Sequence, residues 1–302
     1  MVNRRMLVAG AVGAAFSPCS AIARQESFEN EDVRRGRATV PVFLNDQGPF
    51  HFMVDTAATA SVISADLAER LGLADAGPIG MHTLIGREVV PTVRAMRMRT
   101  GALDASEVRL AVGQRLAMSG LDGLLGCDLL VASKVILNFR GSQRTRIARS
   151  SAPPRGFHRG ATPGIPVVIK GERRFGNLLM APAHVWRTPA TAIIDSGAEG
   201  TIVNRAAAVA GYATPLVPRD GESIRRIQSP TGSVAWGQAM VLPSLRFAGM
   251  GMTNLPVAVG DFHSFRIWGV EDQPAILVGL DILRRFSVVH IDLKRSELSL
   301  QL

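Results

Sequence analysis

The pattern of apolar and polar positions predicts short strands joined by tight turns, with few helices. In the first half, TVPVFL at 39–44 and PFHFMVDT at 49–56 have the composition of strands. NDQG at 45–48 lies between them, and Asn, Asp and Gly are residues that tight turns favour. ADLAERLGL at 65–73 is predicted to form a short helix that Ser64 caps.

The second half is predicted to follow the same order of elements. VVIK at 167–170 and ATAIIDS at 190–196 are predicted strands, and a helix is expected after Asn204. Each half closes with a pattern typical of a β-hairpin: VILNF, RGS and QRTRI in the first, and VVHIDL, KRS and ELSL in the second. With 30 Gly, 17 Pro and only 5% aromatic residues, the composition also favours a turn-rich β protein over a helical bundle.

Three blocks of the first half recur in the same order in the second half. The aligned pairs are DTAATASVIS at 55–64 with DSGAEGTIVN at 195–204, DGLLGCDLL at 122–130 with AILVGLDIL at 275–283, and KVILNFRGSQ at 134–143 with SVVHIDLKRSE at 287–297. Such agreement indicates a duplicated unit. We therefore expect an all-β fold of two pseudo-twofold-related lobes, 36–147 and 164–302, joined by an Arg/Ser/Pro/Gly-rich linker at 148–163.

Asp55 and Asp195 end matching apolar strands in the two units. Burying a carboxylate costs several kcal/mol unless it is paired or loses its charge. A lone D-T-A or D-S-G triplet indicates no more than a turn, but pairing of the two units would bring both strand ends together. Two adjacent carboxyl groups share one proton, so that one can act as a base towards water and the other as an acid.

These motifs resemble those of the retropepsin-like aspartic proteases, within the pepsin clan. The resemblance rests on FMVDTAATASVIS with DGLLGCDLL, and on AIIDSGAEGTIVN with ILVGLDIL, and it covers nearly all of the chain after the N-terminal segment. It implies two closed-sheet lobes of the acid-protease type with short helices. Retropepsins usually have one unit per chain and dimerise, so two units in one chain imply a monomer with an intramolecular active site.

The resemblance assigns roles to residues at matching positions. It implies that Asp55 and Asp195 are the catalytic pair, and that the hydroxyl groups of Thr56 and Ser196 lock the two active-site loops together. The segments Leu124-Leu125-Gly126 and Leu277-Val278-Gly279 are expected to pack behind these loops. Asp128 and Asp281 follow the two segments, and their repetition favours a structural role.

One position departs from the family pattern. Ala57 stands where the family has Gly, whereas the second motif has Gly197. A position that favours Gly can require unusual backbone angles. Either the additional methyl group fits beside the pair and the site is active, or it distorts the loop. The second case would make the chain a non-catalytic protein that binds a peptide or a cell-wall component.

The family also implies hairpins, or flaps, that fold over the substrate. We expect the first flap at 82–93, with its tip at Ile85-Gly86-Arg87. The second flap is expected at 226–238, with a turn at Ser229-Pro230-Thr231-Gly232. Two places are open for Trp236: it lines the cleft, or it packs in the core or at the edge of its own lobe.

The N-terminus has the parts of a secretory signal, predicted at 1–23. Arg4 and Arg5 precede an apolar segment at 6–16 that is too short to span a bilayer, and Ala21-Ile22-Ala23 is a candidate cleavage site. We therefore expect a periplasmic or secreted protein, exported through a Sec signal or a twin-arginine signal. Lipidation at Cys19 is not expected, because Pro18 replaces the small residue that would precede it.

A net charge of +9 is compatible with nucleic-acid binding, but the distribution of the basic residues argues against it. Of the 34 basic residues, 31 are Arg, and they are scattered without interleaved aromatic residues. The densest stretch, at 140–160, is interpreted as a solvated linker; a nucleic-acid-binding protein would instead be retained on DNA in a strongly salt-dependent way.

Other kinds of site find little support in the sequence. The six His residues lack metal-ligand spacing, no G-x-S-x-G occurs, and Cys127 lies in an apolar run typical of a buried residue. No further segment reaches transmembrane length. We thus expect an aspartic endopeptidase that acts on a peptide or protein and needs no metal or other cofactor.

Overall fold

The computed structural model describes residues 36–140, 145–151, 166–216 and 224–302. The predicted signal at 1–23 and most of the predicted linker, 152–163, lie outside the described residues.

The described chain consists mainly of strands. The strands are β1 (Thr39–Leu44), β2 (Gln47–Val54), β3 (Val62–Ser64), β4 (Ala74–Asp75), β5 (Ile79–His82), β6 (Arg87–Val90), β7 (Thr92–Thr100), β8 (Leu103–Gly113), β9 (Gly123–Leu125), β10 (Ser133–Asn138), β11 (Thr145–Arg149), β12 (Val167–Lys170), β13 (Glu172–Arg174), β14 (Leu178–Val185), β15 (Thr188–Ile194), β16 (Ile202–Val203), β17 (Thr214–Pro215), β18 (Ile224–Gln228), β19 (Val234–Phe247), β20 (Met250–Val259), β21 (Ala275–Val278), β22 (Val288–Asp292) and β23 (Glu297–Gln301). The helices are α1 (Ala65–Arg70), α2 (Cys127–Leu130), α3 (Arg205–Ala210), α4 (His263–Ile267) and α5 (Leu280–Leu283), with one 3₁₀ turn at Leu116–Met118.

Each half of the chain builds a closed six-stranded sheet. In the first half the order is β1-β2-β9-β3-β8-β7, and β7 pairs back with β1. In the second half the order is β14-β15-β21-β16-β20-β19, and β19 pairs back with β14. The strands correspond one to one, so the duplication seen in the sequence is a duplication of barrels. Closing a sheet in this way removes its exposed edges.

A five-stranded sheet joins the two lobes, in the order β11-β10-β22-β23-β12. It contains both predicted closing hairpins, and the antiparallel pairing of β10 with β22 connects the first half to the second. β11 continues to Arg149, two residues into the predicted linker. The prediction of an all-β, two-lobed fold is confirmed.

One predicted correspondence is wrong. VVIK at 167–170 forms β12, which pairs with β23 in the joining sheet, and is not the counterpart of β1. That counterpart is β14, which pairs with β15 as β1 pairs with β2. Its sequence, LLMAPAHV, reads poorly as an alternating strand because its first four residues are all buried and Pro182 interrupts it.

The two predicted helices lie where the sequence places them, beside the active-site loops. α1 ends at Arg70 rather than at residue 73, and the side chain of Ser64 makes no capping bond. Asn204 does cap α3, since its Oδ1 accepts from Ala207 N at 2.8 Å. None of the described helices is both long enough and apolar enough to cross a membrane.

Candidate active site

Asp55 and Asp195 occupy equivalent places in the two barrels. Each follows a strand that runs parallel to a partner, β2 beside β9 and β15 beside β21. Asp55 N donates to Leu125 O at 2.9 Å, and Asp195 N donates to Val278 O at 3.0 Å. The apolar segments predicted behind the loops therefore hold the backbone of each Asp.

The two carboxyl groups are oriented by matching backbone hydrogen bonds. Asp55 Oδ1 accepts from Ala57 N and Ala58 N, both at 2.9 Å. Asp195 Oδ1 accepts from Gly197 N at 2.7 Å and from Ala198 N at 3.0 Å. Each carboxyl group changes the pKa of the other, so the two are close neighbours. The structure thus brings together the two residues that the sequence predicts as a pair.

The electrostatic environments of the two carboxyl groups differ. Burial raises the pKa of both, and the charge of Asp55 raises the pKa of Asp195 further. The backbone N–H groups and the guanidinium of Arg37 oppose this increase at Asp55. The two carboxyl groups therefore titrate as a pair, and the larger increase in pKa is at Asp195.

Thr56 and Ser196 connect the two loops across the lobe boundary. Thr56 Oγ1 donates to Ile194 O at 2.7 Å and accepts from Ser196 N at 3.1 Å. Ser196 Oγ donates to Val54 O at 2.6 Å and accepts from Thr56 N at 3.3 Å. Both side chains are fully buried. They form a reciprocal lock of four hydrogen bonds, in the arrangement that the sequence resemblance implies.

Ala57 fits into its loop without distorting it. Neither Ala57 nor Gly197 has a positive φ, so this position does not require the backbone angles that only Gly adopts easily. The two positions differ in the room around them, because a methyl group added at Gly197 would place its carbon 2.5 Å from Asp55 Cγ. In the first loop the methyl group of Ala57 borders the cleft, and the N–H groups of the loop still bind Asp55.

Asp128 and Asp281 support the loops from behind, in agreement with the structural role expected for them. Asp128 accepts from Ser61 N at 3.0 Å and from Ser61 Oγ at 2.7 Å. Asp281 accepts in the same way from Thr201, at 3.1 and 2.8 Å. These bonds tie the end of each active-site loop to the short helix that follows β9 or β21.

A cleft of about 1100 Å³ lies between the lobes, and the two Asp residues are on its surface. Much of its lining is apolar, including Met81, Leu84, Phe175 and Trp268.

Two hairpins reach the opposite lobe, the second at the predicted flap and the first at 79–90 instead of the predicted 82–93. β5 and β6 form the first flap, in which Thr83 O accepts from Ser264 Oγ at 3.0 Å. His82 Nδ1 lies 2.8 Å from His263 Nε2, and the two rings are stacked. β18 and the start of β19 form the second flap, in which Pro230 O accepts from Gln114 N at 3.0 Å.

The residues at the flap tips differ in part from those predicted. Ile85 and Gly86 lie in the first turn, and Thr231 and Gly232 lie in the second, but none of them borders the cleft. The cleft is bordered instead by their neighbours, Thr83 and Leu84 in the first flap and Ser229 and Pro230 in the second. Trp236 is exposed and does not border the cleft.

Arg37 is a residue of the site that sequence reasoning missed. Its Nη1 donates to Gly197 O at 2.9 Å, and its Nη2 donates to Ser119 Oγ at 3.0 Å. Its Nε lies 3.1 Å from Glu199 Oε1, close enough for an ion pair but poorly aligned for a hydrogen bond. Arg37 therefore links the first lobe to the loop that carries Asp195. Nothing in the sequence distinguishes it from the 30 other Arg residues.

Other reactive groups contribute little to this site. Burial raises the pKa of the Cys127 thiol, which stays protonated and donates to Thr56 O. Among the described residues, no group of three or more His, Cys, Asp or Glu side chains could hold a metal ion.

Comparison with known families and proteins gives one match. A family model described as aspartyl protease matches residues 40–129 and 181–282. The two segments contain most of the two barrels, and each includes one of the paired Asp residues. A comparison with curated proteins gave no match.

Proposed function

Because this chain belongs to the aspartyl protease family, we propose that it is an endopeptidase whose catalytic pair is Asp55 and Asp195. One observation carries the proposal: two buried carboxyl groups, one from each lobe, meet on the surface of a cleft that two hairpins cross. Buried carboxyl groups that share one proton have the properties required of a combined base and acid.

The proposed reaction proceeds without a covalent intermediate. The ionised carboxylate of Asp55 removes a proton from a water molecule, and the oxygen of that water attacks the carbonyl carbon of the peptide. Asp195 gives its proton to the carbonyl oxygen, which forms a tetrahedral diol. The proton on Asp55 then passes to the peptide nitrogen, the C–N bond breaks, and Asp195 recovers a proton from the diol.

The lining of the cleft supports a preference for apolar side chains beside the cleaved bond. Leu84 and Phe175 line the cleft and keep part of their apolar surface exposed, and burying this surface against a substrate side chain is favourable. The two flaps would close over an extended peptide and exclude water.

We further propose that the protein acts as a monomer outside the cytoplasm. Both carboxyl groups come from one chain, which supports a complete site in one copy. The segment at 1–23 supports export to the periplasm or secretion, through a Sec or a twin-arginine signal. Sedimentation of the purified chain tests the first statement, and fractionation of cells that produce it tests the second.

Cleavage of a diverse peptide library tests the activity. The full chain is incubated with the library between acidic and neutral pH, and the products are identified by mass spectrometry. We expect cleavage that Asp195→Asn and a statine inhibitor, which resembles the diol, both abolish. The control Asp272→Asn changes an exposed carboxylate and should leave cleavage unchanged.

Absence of cleavage at every pH, from folded protein, would contradict the proposal. It would favour the non-catalytic reading, in which the cleft binds a peptide or a cell-wall component. Ala57→Gly would then show whether one methyl group silences the site.

A further inference from the structure

Two exposed aromatic side chains lie together on the second lobe. Trp186 is 47% exposed and Tyr212 is 69% exposed. Their ring centroids are 6.3 Å apart, and the ring planes are nearly perpendicular. Val209, on the last turn of α3, is 72% exposed and precedes Tyr212 by three residues. These three residues are called the aromatic patch below.

The corresponding positions of the first lobe show which residues this backbone favours. Trp186 begins the two-residue turn between β14 and β15, and Asn45 begins the corresponding turn between β1 and β2. Tyr212 follows α3 by two residues, and Gly72 follows α1 by two residues. All four residues have a positive φ, of 48° to 58°.

Asn and Gly are the residues that adopt this left-handed conformation most easily, whereas bulky side chains rarely do. The first lobe therefore carries the residues that suit its backbone. The second lobe carries aromatic residues at the same two places, although folding does not require them. Exposed aromatic side chains at positions whose backbone favours Asn or Gly therefore point to a contact with another molecule.

The described segments around the aromatic patch carry a positive charge. The segments 184–190, 205–216 and 243–250 surround it in the fold and contain no Asp or Glu. They contain Arg187, whose guanidinium lies 6.0 Å from the centre of the Trp186 ring, and the exposed Arg246 on the neighbouring strand β19. Arg205 is also present but forms an ion pair with Asp261.

We propose that the aromatic patch binds the surface of an anionic lipid bilayer. Trp and Tyr side chains are favoured at the boundary between headgroups and acyl chains, where a ring is buried and its polar atom stays hydrated. Arg187 and Arg246 would contact lipid phosphates, and each basic residue near an anionic surface strengthens binding. The patch is formed by a turn and a helix end rather than by a groove, which suits a flat lipid surface better than a peptide.

The position of the patch leaves the cleft accessible. β15 begins after the turn that carries Trp186 and ends directly before Asp195, and the seven steps along the chain from Thr188 to Asp195 span about 23 Å in an extended strand. A bilayer bound at the patch therefore lies at the far end of β15 from the catalytic pair. The inference does not depend on the proposed peptidase activity.

Vesicle binding tests the inference. The full chain is mixed with vesicles of phosphatidylcholine alone or with 30% phosphatidylglycerol, and bound protein is measured by flotation. The variant Trp186→Asn/Tyr212→Gly restores the residues of the first lobe and suits the positive φ, so it should fold. We expect it to bind anionic vesicles at least tenfold more weakly than the wild type. Met96→Asn, which changes an exposed apolar residue on β7, is the matched control and should bind like the wild type.

Quenching by brominated lipid reports direct contact, even if residues 1–35, which are the same in every variant, also bind the vesicle. We expect bromine on the upper acyl chain to quench tryptophan emission in the wild type and in Met96→Asn, and to quench little in the double variant. Equal binding or equal quenching of the wild type and the double variant would overturn the inference. Equal binding of the wild type to neutral and anionic vesicles would overturn it as well. So would a wild type that binds a polysaccharide or a protein, but no vesicle, and loses that binding in the double variant.

Discussion

Replacing Thr56 with Val should destabilise the protein and inactivate it, although the shape of the side chain hardly changes. Thr56 is fully buried and has two hydrogen bonds to the second lobe, to Ile194 O and from Ser196 N. The Val side chain fills the same volume but removes both bonds, leaving a carbonyl and an N–H group unpaired in the interior. No cavity forms, so the effect isolates the hydrogen bonds.

The size of the effect follows from the two groups left unpaired. An unsatisfied buried donor or acceptor costs about 1–3 kcal/mol, so the two groups left by Thr56→Val should lower the free energy of unfolding by about 2–6 kcal/mol. Ser196→Ala removes the other half of the lock, since Ser196 Oγ bonds Val54 O and Thr56 N. Both variants release the same pair of loops, so the double variant should lose less than the sum of the single losses.

Guanidinium unfolding, followed by tryptophan fluorescence and by circular dichroism, measures these differences. Thr253→Val is the matched control, because Thr253 is exposed on β20 and its replacement should change stability by less than about 0.5 kcal/mol. A loss below 1 kcal/mol for Thr56→Val, or strict additivity with Ser196→Ala, would refute the reasoning that the lock holds the lobes together.

Three further predictions concern the loops, the pair and the first flap. Gly197→Ala should abolish peptide cleavage, because the added Cβ would lie 2.5 Å from Asp55 Cγ. Gly200 has open space around it, so Gly200→Ala should remain active. Equal activities of the two variants would contradict this. Burial raises the pKa of Asp195 above its ordinary value of 3.8, so the folded state loses stability as the pH rises from about 3.8, where the unfolded carboxyl ionises, to the raised pKa of the folded one. Asp195→Asn should therefore melt at a higher temperature than the wild type at pH 7 and at a similar one at pH 3. His263→Ala should increase hydrogen exchange in the first flap at pH 7, and an unchanged rate would show that the flap is held by other contacts.

The duplication made much of the site predictable from the sequence. Asp55 and Asp195 follow apolar strands at an offset of 140 residues, and their neighbours Thr56 and Ser196 keep the same register. A repeated motif constrains both copies at once, since each must occupy an equivalent place in its own barrel. The helix after Asn204 was predictable for a local reason, because the cap is a contact between residues three positions apart.

Features that depend on distant contacts could not be predicted in this way. β14 is a barrel strand because it pairs with both β15 and β19, and neither partner can be read from LLMAPAHV itself. Arg37 is part of the site because the second lobe places Gly197 O near it, 160 residues further along the chain. Ile85 and Gly86 lie in one hairpin turn and Thr231 and Gly232 in the other, but which residues border the cleft depends on how each hairpin meets the opposite lobe.

The measurement that tests the central claim most directly is the kcat/KM of four proteins on one peptide that the library identifies. The proteins are the wild type, Asp55→Asn, Asp195→Asn and the double variant, compared at acidic pH. If one proton shared by the two carboxyl groups performs the reaction, each single variant should lose about 10³-fold or more, and the double variant should lose no more than either single one. Retention of activity within tenfold of the wild type by either single variant would contradict the account.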